Sequence, residues 1–494
     1  MPSSSSNART SRLARHFTRR PVTVDDVTII DTSVLKRAVG AAALGNAMEW
    51  FDFAIYGYLA AVMGAVFFPS ESPQVQLLYS FGAFAVAFLV RPLGGLFFGP
   101  LGDRVGRQQV LAATMIMMAI STFSIGLIPS HESIGVWAPL LLLLARLVQG
   151  FSTGGEYGGA ATFIAEYAPD RKRGFLGSWL EVGTLGGFVL GAGLVNGLTW
   201  WLGSDALHAW AWRIPFLVAG PLGLVGLYLR LKLEETPAFR QQLKEHSGEQ
   251  GAPINQQLRD ILSANRRPML LCLGLVFMLN IADYMLLSYM PSYLTATLGY
   301  SETGGLFVVV VAMLCMMVIT PFVGALSDRI GRRPIWITAC VGFFFLSVPC
   351  FMLIGSGDLL WVFGGLLVLG VLLVCLLSIV ASTLPALFPT AIRYGGLAIA
   401  YNLSTALFGG TAPLLATWLV DTSGDHYMPA FYLMLASLVG FVAIWYSDES
   451  ARQPLQGSPP AAASRAEARE IVAEMREQQP AAPKQSTPAS TPGG

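Results

Sequence analysis

Two acids stand inside one apolar run. Glu49 and Asp52 lie in the stretch Asn46-Ala-Met-Glu-Trp-Phe-Asp-Phe-Ala-Ile-Tyr56, itself inside an apolar segment from Ala38 to Phe68. A charge near the centre of a bilayer costs roughly 2.5 to 3.5 kcal/mol on insertion scales, so such acids are kept for a purpose. At helical spacing Asn46, Glu49, Phe53 and Tyr56 share one face with Asp52 beside them, and that face must look into a cavity rather than lipid. Acids three residues apart titrate as a coupled pair, which suits a carried proton, and which of the two holds it stays open. The other reading makes one of them a permanent partner of Arg91 or Arg146. Further acids in apolar windows are Glu156, Glu181 and Asp283, while all five histidines fall in tails or loops. No Gly-x-x-x-x-Gly-Lys phosphate loop is present, so an ion gradient is the expected energy source and no cofactor is expected. No His or Cys cluster suggests a metal site or an embedded enzyme.

Arg146 lies too deep in its window to reach water, so it faces an acid or the substrate. Arg91 can reach the cytoplasmic interface or bind a substrate carboxylate. With Trp50, Tyr56, Trp179 and Tyr284 nearby in the windows, the set fits a zwitterion: guanidinium for the carboxylate, aromatic faces for the ammonium. Packing is the alternative for each aromatic. Asn46, Glu156 and Glu181 complete the candidate substrate set.

The elements that must position these groups are membrane helices. Of 494 residues 54% are hydrophobic and 12% charged, against about 25% charged in soluble proteins. Twelve apolar windows are each long enough to cross a ~30 Å core, which predicts an all-α membrane protein. Lys and Arg cluster in alternate loops, which places both termini in the cytoplasm. The expected organisation is a cytoplasmic tail over 1–37, six helices over 38–231, a cytoplasmic loop over 232–267, six helices over 268–446 and a largely disordered tail over 447–494. Within that tail the stretch from Ala461 to Gln478 can form a short helix, on which Ala468, Ile471, Val472 and Met475 make an apolar stripe too short for a coiled coil.

The two halves repeat. Gly99-Pro-Leu-Gly-Asp-Arg-Val-Gly-Arg107 returns as Gly324-Ala-Leu-Ser-Asp-Arg-Ile-Gly-Arg332, offset by 225 residues, and Pro169 with Arg173 returns as Pro389 with Arg393, offset by 220. Asn280-Ile-Ala-Asp-Tyr284 echoes Asn46-Ala-Met-Glu-Trp50, which makes Asp283 a mate of Glu49 or a chance match. Parallel repeats of six helices place a substrate site between the halves near the midplane.

The paired Gly-x-x-x-Asp-Arg-x-Gly-Arg loops resemble those of the major facilitator superfamily. Arg91-Pro-Leu-Gly-Gly95, Arg146-Leu-Val-Gln-Gly150, Gly154-Gly-Glu-Tyr157 and Trp212-Arg-Ile-Pro-Phe216 resemble its metabolite:proton symporter branch. Asn46 to Phe53 and Tyr284 to Tyr293 are most similar to carriers of zwitterionic osmolytes such as proline and glycine betaine. The resemblance implies a proton symporter in a bacterial inner membrane, working by alternating access, with Glu49, Asp52, Arg146 and Asp283 as the coupling candidates. Its implied partners are a small zwitterion, protons and lipid, with no nucleic acid, and a monomer is expected. It further implies a cytoplasmic latch of Asp103, Arg104, Arg107, Asp328, Arg329 and Arg332, in which each aspartate can face the N-terminus of a helix in the opposite half. A di- or tricarboxylate symporter, for 2-oxoglutarate or citrate, would use the same arginines. A receptor without transport is the remaining alternative.

Overall fold

A computed structural model describes residues 23–70, 72–105, 107–231 and 265–478. The expected central loop from 232 to 264 lies outside the described residues, as do the side chains of Asp103, Arg104 and Arg107 in the first half of the expected latch.

Every one of the twelve apolar windows holds helix. The first is α1 (Thr32–Tyr58) followed by α2 (Ala60–Phe67), bent from it by 62°. There follow α3 (Pro73–Val105), α4 (Arg107–Leu127), α5 (Trp137–Ser152), α6 (Glu156–Tyr167), α7 (Arg173–Leu202) and α8 (Arg213–Leu231). The second half holds α9 (Arg266–Asp283), α10 (Glu302–Ile330), α11 (Arg332–Ile354), α12 (Leu359–Thr383), α13 (Arg393–Ser404), α14 (Ala412–Ser423) and α15 (Met428–Trp445). Among the described residues eight helical segments have the length and apolarity to cross a bilayer, and the bent α1–α2 pair makes a ninth. The fourth window is instead split into α5 and α6 by a 3-10 turn at Thr153–Gly155 and carries Arg146 and Glu156, while α4 and α8 contribute shorter apolar stretches.

Within the first half α1 packs along α7, α3 along α5 and α4 along α8; within the second, α9 and α11 both pack on α15. Two seams join the halves, α7 and α6 against α10, α12 and α13, and α3 against the segment from α13 to α14. Close approach needs small residues. A β-carbon at Gly187 of α7 would stand 2.3 Å from the Ala47 carbonyl oxygen of α1. One asparagine bond recurs in both halves: Asn46 Nδ2 donates to Thr184 Oγ1 (2.6 Å) and to the Leu180 carbonyl (2.9 Å), and Asn280 Nδ2 donates to Thr405 Oγ1 (3.2 Å).

The expectation of a largely disordered tail does not describe residues 447–464, and the short helix expected beyond them lies over Arg465–Gln478. The tail's polar, proline-rich composition lacks a core of its own, but buried arginines of the transmembrane part bind its backbone. Arg332 donates to the Ser450 carbonyl (3.1 Å), Arg173 to that of Gln453 (3.0 Å) and Arg393 to that of Gln456 (2.9 Å). Ala461–Ala462 then pairs in parallel with Thr28–Ile29, the two-residue strands β2 and β1. The tail ends in α16 (Arg465–Gln478), whose Ala468, Ile471 and Val472 pack with Val27 and Ala462 in a separate small core. Arg171 holds α16 from the α6–α7 connection through Glu470 and Glu474, both at 2.6 Å.

Candidate functional site

The polar groups of the apolar windows meet in one layer because α3 and α5 touch backbone to backbone. A β-carbon at Gly150 would come 1.7 Å from the Ala87 carbonyl oxygen, and one at Gly154 would come 2.2 Å from that of Arg91. Only glycine fits there. The contact brings Arg91 of α3 and Arg146 of α5 to the same ring, each guanidinium carbon 5.5 Å from the Phe53 centroid. Both arginines are at most 1% exposed.

Arg91 does not reach the cytoplasmic interface. Its Nη2 pairs with Glu49 Oε1 at 3.0 Å, while its Nε and Nη1 have no hydrogen-bond partner. Glu49 is thus a salt-bridge partner, and the two acids of the opening stretch have different surroundings. Asp52 accepts from Thr122 Oγ1 at 3.0 Å, Thr122 accepts from Gln149 Nε2 at 3.1 Å, and Gln149 Oε1 accepts from Arg146 Nη1. Arg146 also lies 4.2 Å above the Tyr56 ring, an attraction of about 0.5 to 2 kcal/mol. Tyr56 is fixed by donating to the Ser80 carbonyl at 3.1 Å. Beside Asp52, a cavity of about 20 Å³ is bounded by Glu49, Asp52, Glu156, Met115 and Met118, enough for one water. Glu156 accepts from Thr114 Oγ1 at 2.7 Å, so it belongs to this acid cluster.

A second group lies toward the other half. Trp50 stands 5.9 Å from Tyr284 and 5.5 Å from Phe188, and Tyr284 stands 5.2 Å from Phe88. Tyr284 opens a widened π-helical turn over Tyr284–Tyr289, a distortion common at functional sites. The Trp50 Nε1 and Tyr284 hydroxyl are buried without hydrogen-bond partners. Glu181 accepts from the Tyr157 hydroxyl at 2.8 Å and from Thr184 at 2.9 Å, and Tyr157 stacks on Tyr401 across the seam at 4.2 Å. Asp283 is 4% exposed, and its Oδ1 has no hydrogen-bond partner.

Trp179 does not join this set. It is 39% exposed and packs on Phe175, because positions 181, 184 and 188 of α7 face inward and 179 lies off that face. Sequence reasoning had passed over Thr122, Gln149, Phe88 and Tyr401. Gln149 carries a visible signal, a buried amide three residues from Arg146 in an apolar run; the others look like ordinary membrane-helix residues.

At the end of the bundle that holds the repeated loops, Asp328 accepts from the backbone N–H groups of Gly174 (2.8 Å) and Phe175 (2.9 Å), at the N-terminus of α7 in the opposite half. Arg332 does not cross that seam: it bonds the Ser382 carbonyl and Ser450 and lies 3.8 Å from Asp328. Arg329 is exposed. Glu166 and Arg393 form an ion pair across the seam at 2.7 Å.

A family model described as the Major Facilitator Superfamily matches residues 42–408. The chain is 52% identical to the glycine betaine/proline/ectoine/pipecolic acid transporter OusA of Dickeya dadantii, over 92% of this chain and 91% of that protein. It is 51% identical to the proline/betaine transporter of Salmonella typhimurium, covering 92% of each, and 44% identical to the ectoine/proline transporter ProP of Corynebacterium glutamicum, covering 91% of each. Among solved structures, the proton:xylose symporter XylE bound to 6-bromo-6-deoxy-D-glucose superposes with a TM-score of 0.69 at 18% identity, over 86% of this chain and 98% of that one. The partially occluded inward-open xylose transporter XylE from E. coli gives 0.66 at 17% identity, over 85% of this chain and 99% of that one. The fold is therefore shared well beyond the range of close sequence similarity, and the chain belongs to the major facilitator superfamily as a multi-pass membrane transporter.

Proposed function

We propose that the protein is a proton symporter that accumulates small zwitterionic osmolytes such as proline and glycine betaine across a bacterial inner membrane, with twelve spans and both termini in the cytoplasm. The carrying observation is the pairing of two buried guanidiniums that keep unbonded N–H groups with an aromatic enclosure around Trp50, Phe88 and Tyr284. A guanidinium with spare donors suits a carboxylate, and ring faces suit an ammonium or a methylated quaternary nitrogen. The relatives at 51–52% identity bear the names of transporters of such molecules. A dicarboxylate would bring a second anion toward Glu49, Glu181 and Asp283, which disfavours that alternative.

In this reading Arg91 and Asn46 support the substrate layer and Trp50, Tyr284 and Glu181 bound it. Asp52 is the first candidate for the transported proton, because Glu49 is engaged by Arg91 and Asp52 has only a neutral hydroxyl bonded to it in the structure. Asp283 is the second half's contribution to the titratable set. The Asp328 contact with α7 closes the cytoplasmic seam and must part when the site opens inward.

Uptake of labelled proline and glycine betaine into proteoliposomes, driven by an inwardly directed proton gradient, tests this with citrate and 2-oxoglutarate as competitors. Zwitterion accumulation that collapses with a protonophore is expected. Uptake of the carboxylates alone would overturn the substrate assignment.

A further inference from the structure

We propose that Thr122 and Gln149 are positioning residues that join Arg146 to Asp52 and so set how proton loading is felt at the arginine. The inference rests on the proton-symport reading above. Asp52, Thr122, Gln149 and Arg146 are each at most 6% exposed, so their mutual bonds are not exchanged with bulk water.

The direction of donation along the chain is fixed by chemistry. Arg146 can only donate, so Gln149 must turn its oxygen toward the guanidinium; the reversed amide would set two donors face to face. That leaves Gln149 Nε2 to donate to Thr122 Oγ1, at 3.1 Å. Thr122 has one hydroxyl hydrogen, and it goes to Asp52 Oδ2 at 3.0 Å. Every bond therefore points from the cation on α5 to the carboxylate on α1, through α4. Bonds aligned in this way strengthen one another in a low-dielectric interior.

Protonation of Asp52 weakens the alignment. A proton on Oδ2 turns the Thr122 hydrogen away, and a proton on Oδ1 leaves Oδ2 a neutral acceptor in place of a charged one, so in either case the hold on Arg146 through Gln149 changes. Arg146 lies over Tyr56 and 5.2 Å from the Phe84 ring, which itself stands 6.2 Å from Tyr284 of the second half. The chain thus runs from the proton site to the aromatic layer at the seam. The other charged groups in reach of Asp52 are Glu49 on its own helix and Glu156 on α6. Glu49 is paired with Arg91 of α3, and Glu156 accepts from Thr114 of α4. Against this stretch of α1, α7 presents Gly187 and Gly191, which carry no charge, and α8 meets the cavity with Ala219, Leu222 and Gly223.

The test is labelled-proline uptake by reconstituted full-length protein across a series of external pH values, for wild type, Thr122→Val, Thr122→Ser, Gln149→Leu and Asp52→Asn. Counterflow at equal pH on both sides reports correctly folded carrier, and rates are scaled to it. Thr122→Val and Gln149→Leu should displace the pH midpoint of uptake by about one unit or more, the range expected for losing a hydrogen bond to a charged group. Their substrate KM at saturating proton should stay within about twofold, and Thr122→Ser should restore the wild-type profile. Unchanged profiles in Thr122→Val and Gln149→Leu, or a Thr122→Ser profile displaced as far as that of Thr122→Val, would overturn the inference. If Asp52→Asn itself kept full pH-driven uptake, the proton-carrier reading would fall instead.

Discussion

The two halves agree at the end of the bundle that holds the repeated loops and part company in its middle. Arg173 and Arg393, 220 residues apart, make the same bond: each Nε donates to a carbonyl eight residues back, Ala165 at 2.9 Å and Pro385 at 3.2 Å. At the midplane the repeat offsets carry Arg91 to Met316, Asp52 to Leu286, Arg146 to Leu366 and Glu156 to Leu376, all buried. Only Asp283 keeps an acid, as the counterpart of Glu49, and its half offers methionine where Glu49 has Arg91. The charge chemistry is therefore concentrated in one half, with the other supplying Tyr284, Tyr401 and a single acid at the seam. Repetition marks what the fold needs, and divergence marks what transport needs. Arg173 and Arg393 have no buried unbonded nitrogen, whereas Arg91 and Arg146 each have two, as does Arg332 of the repeated loop.

The comparison breaks most sharply at Arg91. Arg91→Met copies the second half but strands Glu49, and removing one partner of a buried pair costs roughly 3 to 5 kcal/mol. Thermal unfolding in detergent should show a large loss in Arg91→Met and substantial recovery in the double variant Arg91→Met with Glu49→Gln. No recovery would mean that Arg91 acts apart from Glu49. Next in size, Arg173→Ala and Arg393→Ala should destabilise by similar amounts, about 2 to 4 kcal/mol each, because each leaves buried carbonyls without a donor and breaks an ion pair, with Asp170 buried and Glu166 32% exposed. A clear inequality would contradict the structural repeat. Asp283→Asn should lower uptake several-fold, and unchanged affinity and coupling would remove Asp283 from the site.

The smallest effect concerns the opposite end of the bundle. His208, between α7 and α8, meets Glu302 at the start of α10 at 3.2 Å, and that hydrogen bond pushes the histidine pKa up. A raised histidine pKa means the contact is fully present below the unfolded value of about 6.5 and is lost as pH rises through the folded value. Both side chains are 41% exposed, so it is worth at most about 1 kcal/mol. His208→Gln should therefore slightly weaken closure of this seam below about pH 6.5, with a difference from wild type that fades as pH rises, as read by distance labels across α7 and α10.

Much of this was legible in the sequence because charge is conspicuous against an apolar background. Glu49, Asp52, Arg91, Arg146, Glu156 and Asp283 stand out for that reason alone, and the repeated loops point to Asp328 facing the opposite half. Partner choice was not legible. Whether Arg91 takes Glu49 or snorkels depends on how closely α3 meets α5, which Gly150 and Gly154 decide in three dimensions. Trp179 looked like its neighbours because aromatics suit lipid as well as ligand. The order of residues 447–464 was hidden because its bonds come from Arg173, Arg332 and Arg393, far away in the chain.

The account stands most directly on Asp52. In proteoliposomes loaded at equal osmolality, an inward proton gradient should drive labelled proline above equilibrium with wild type, and Asp52→Asn should only let it equilibrate while retaining counterflow. Accumulation by Asp52→Asn equal to that of wild type would contradict it.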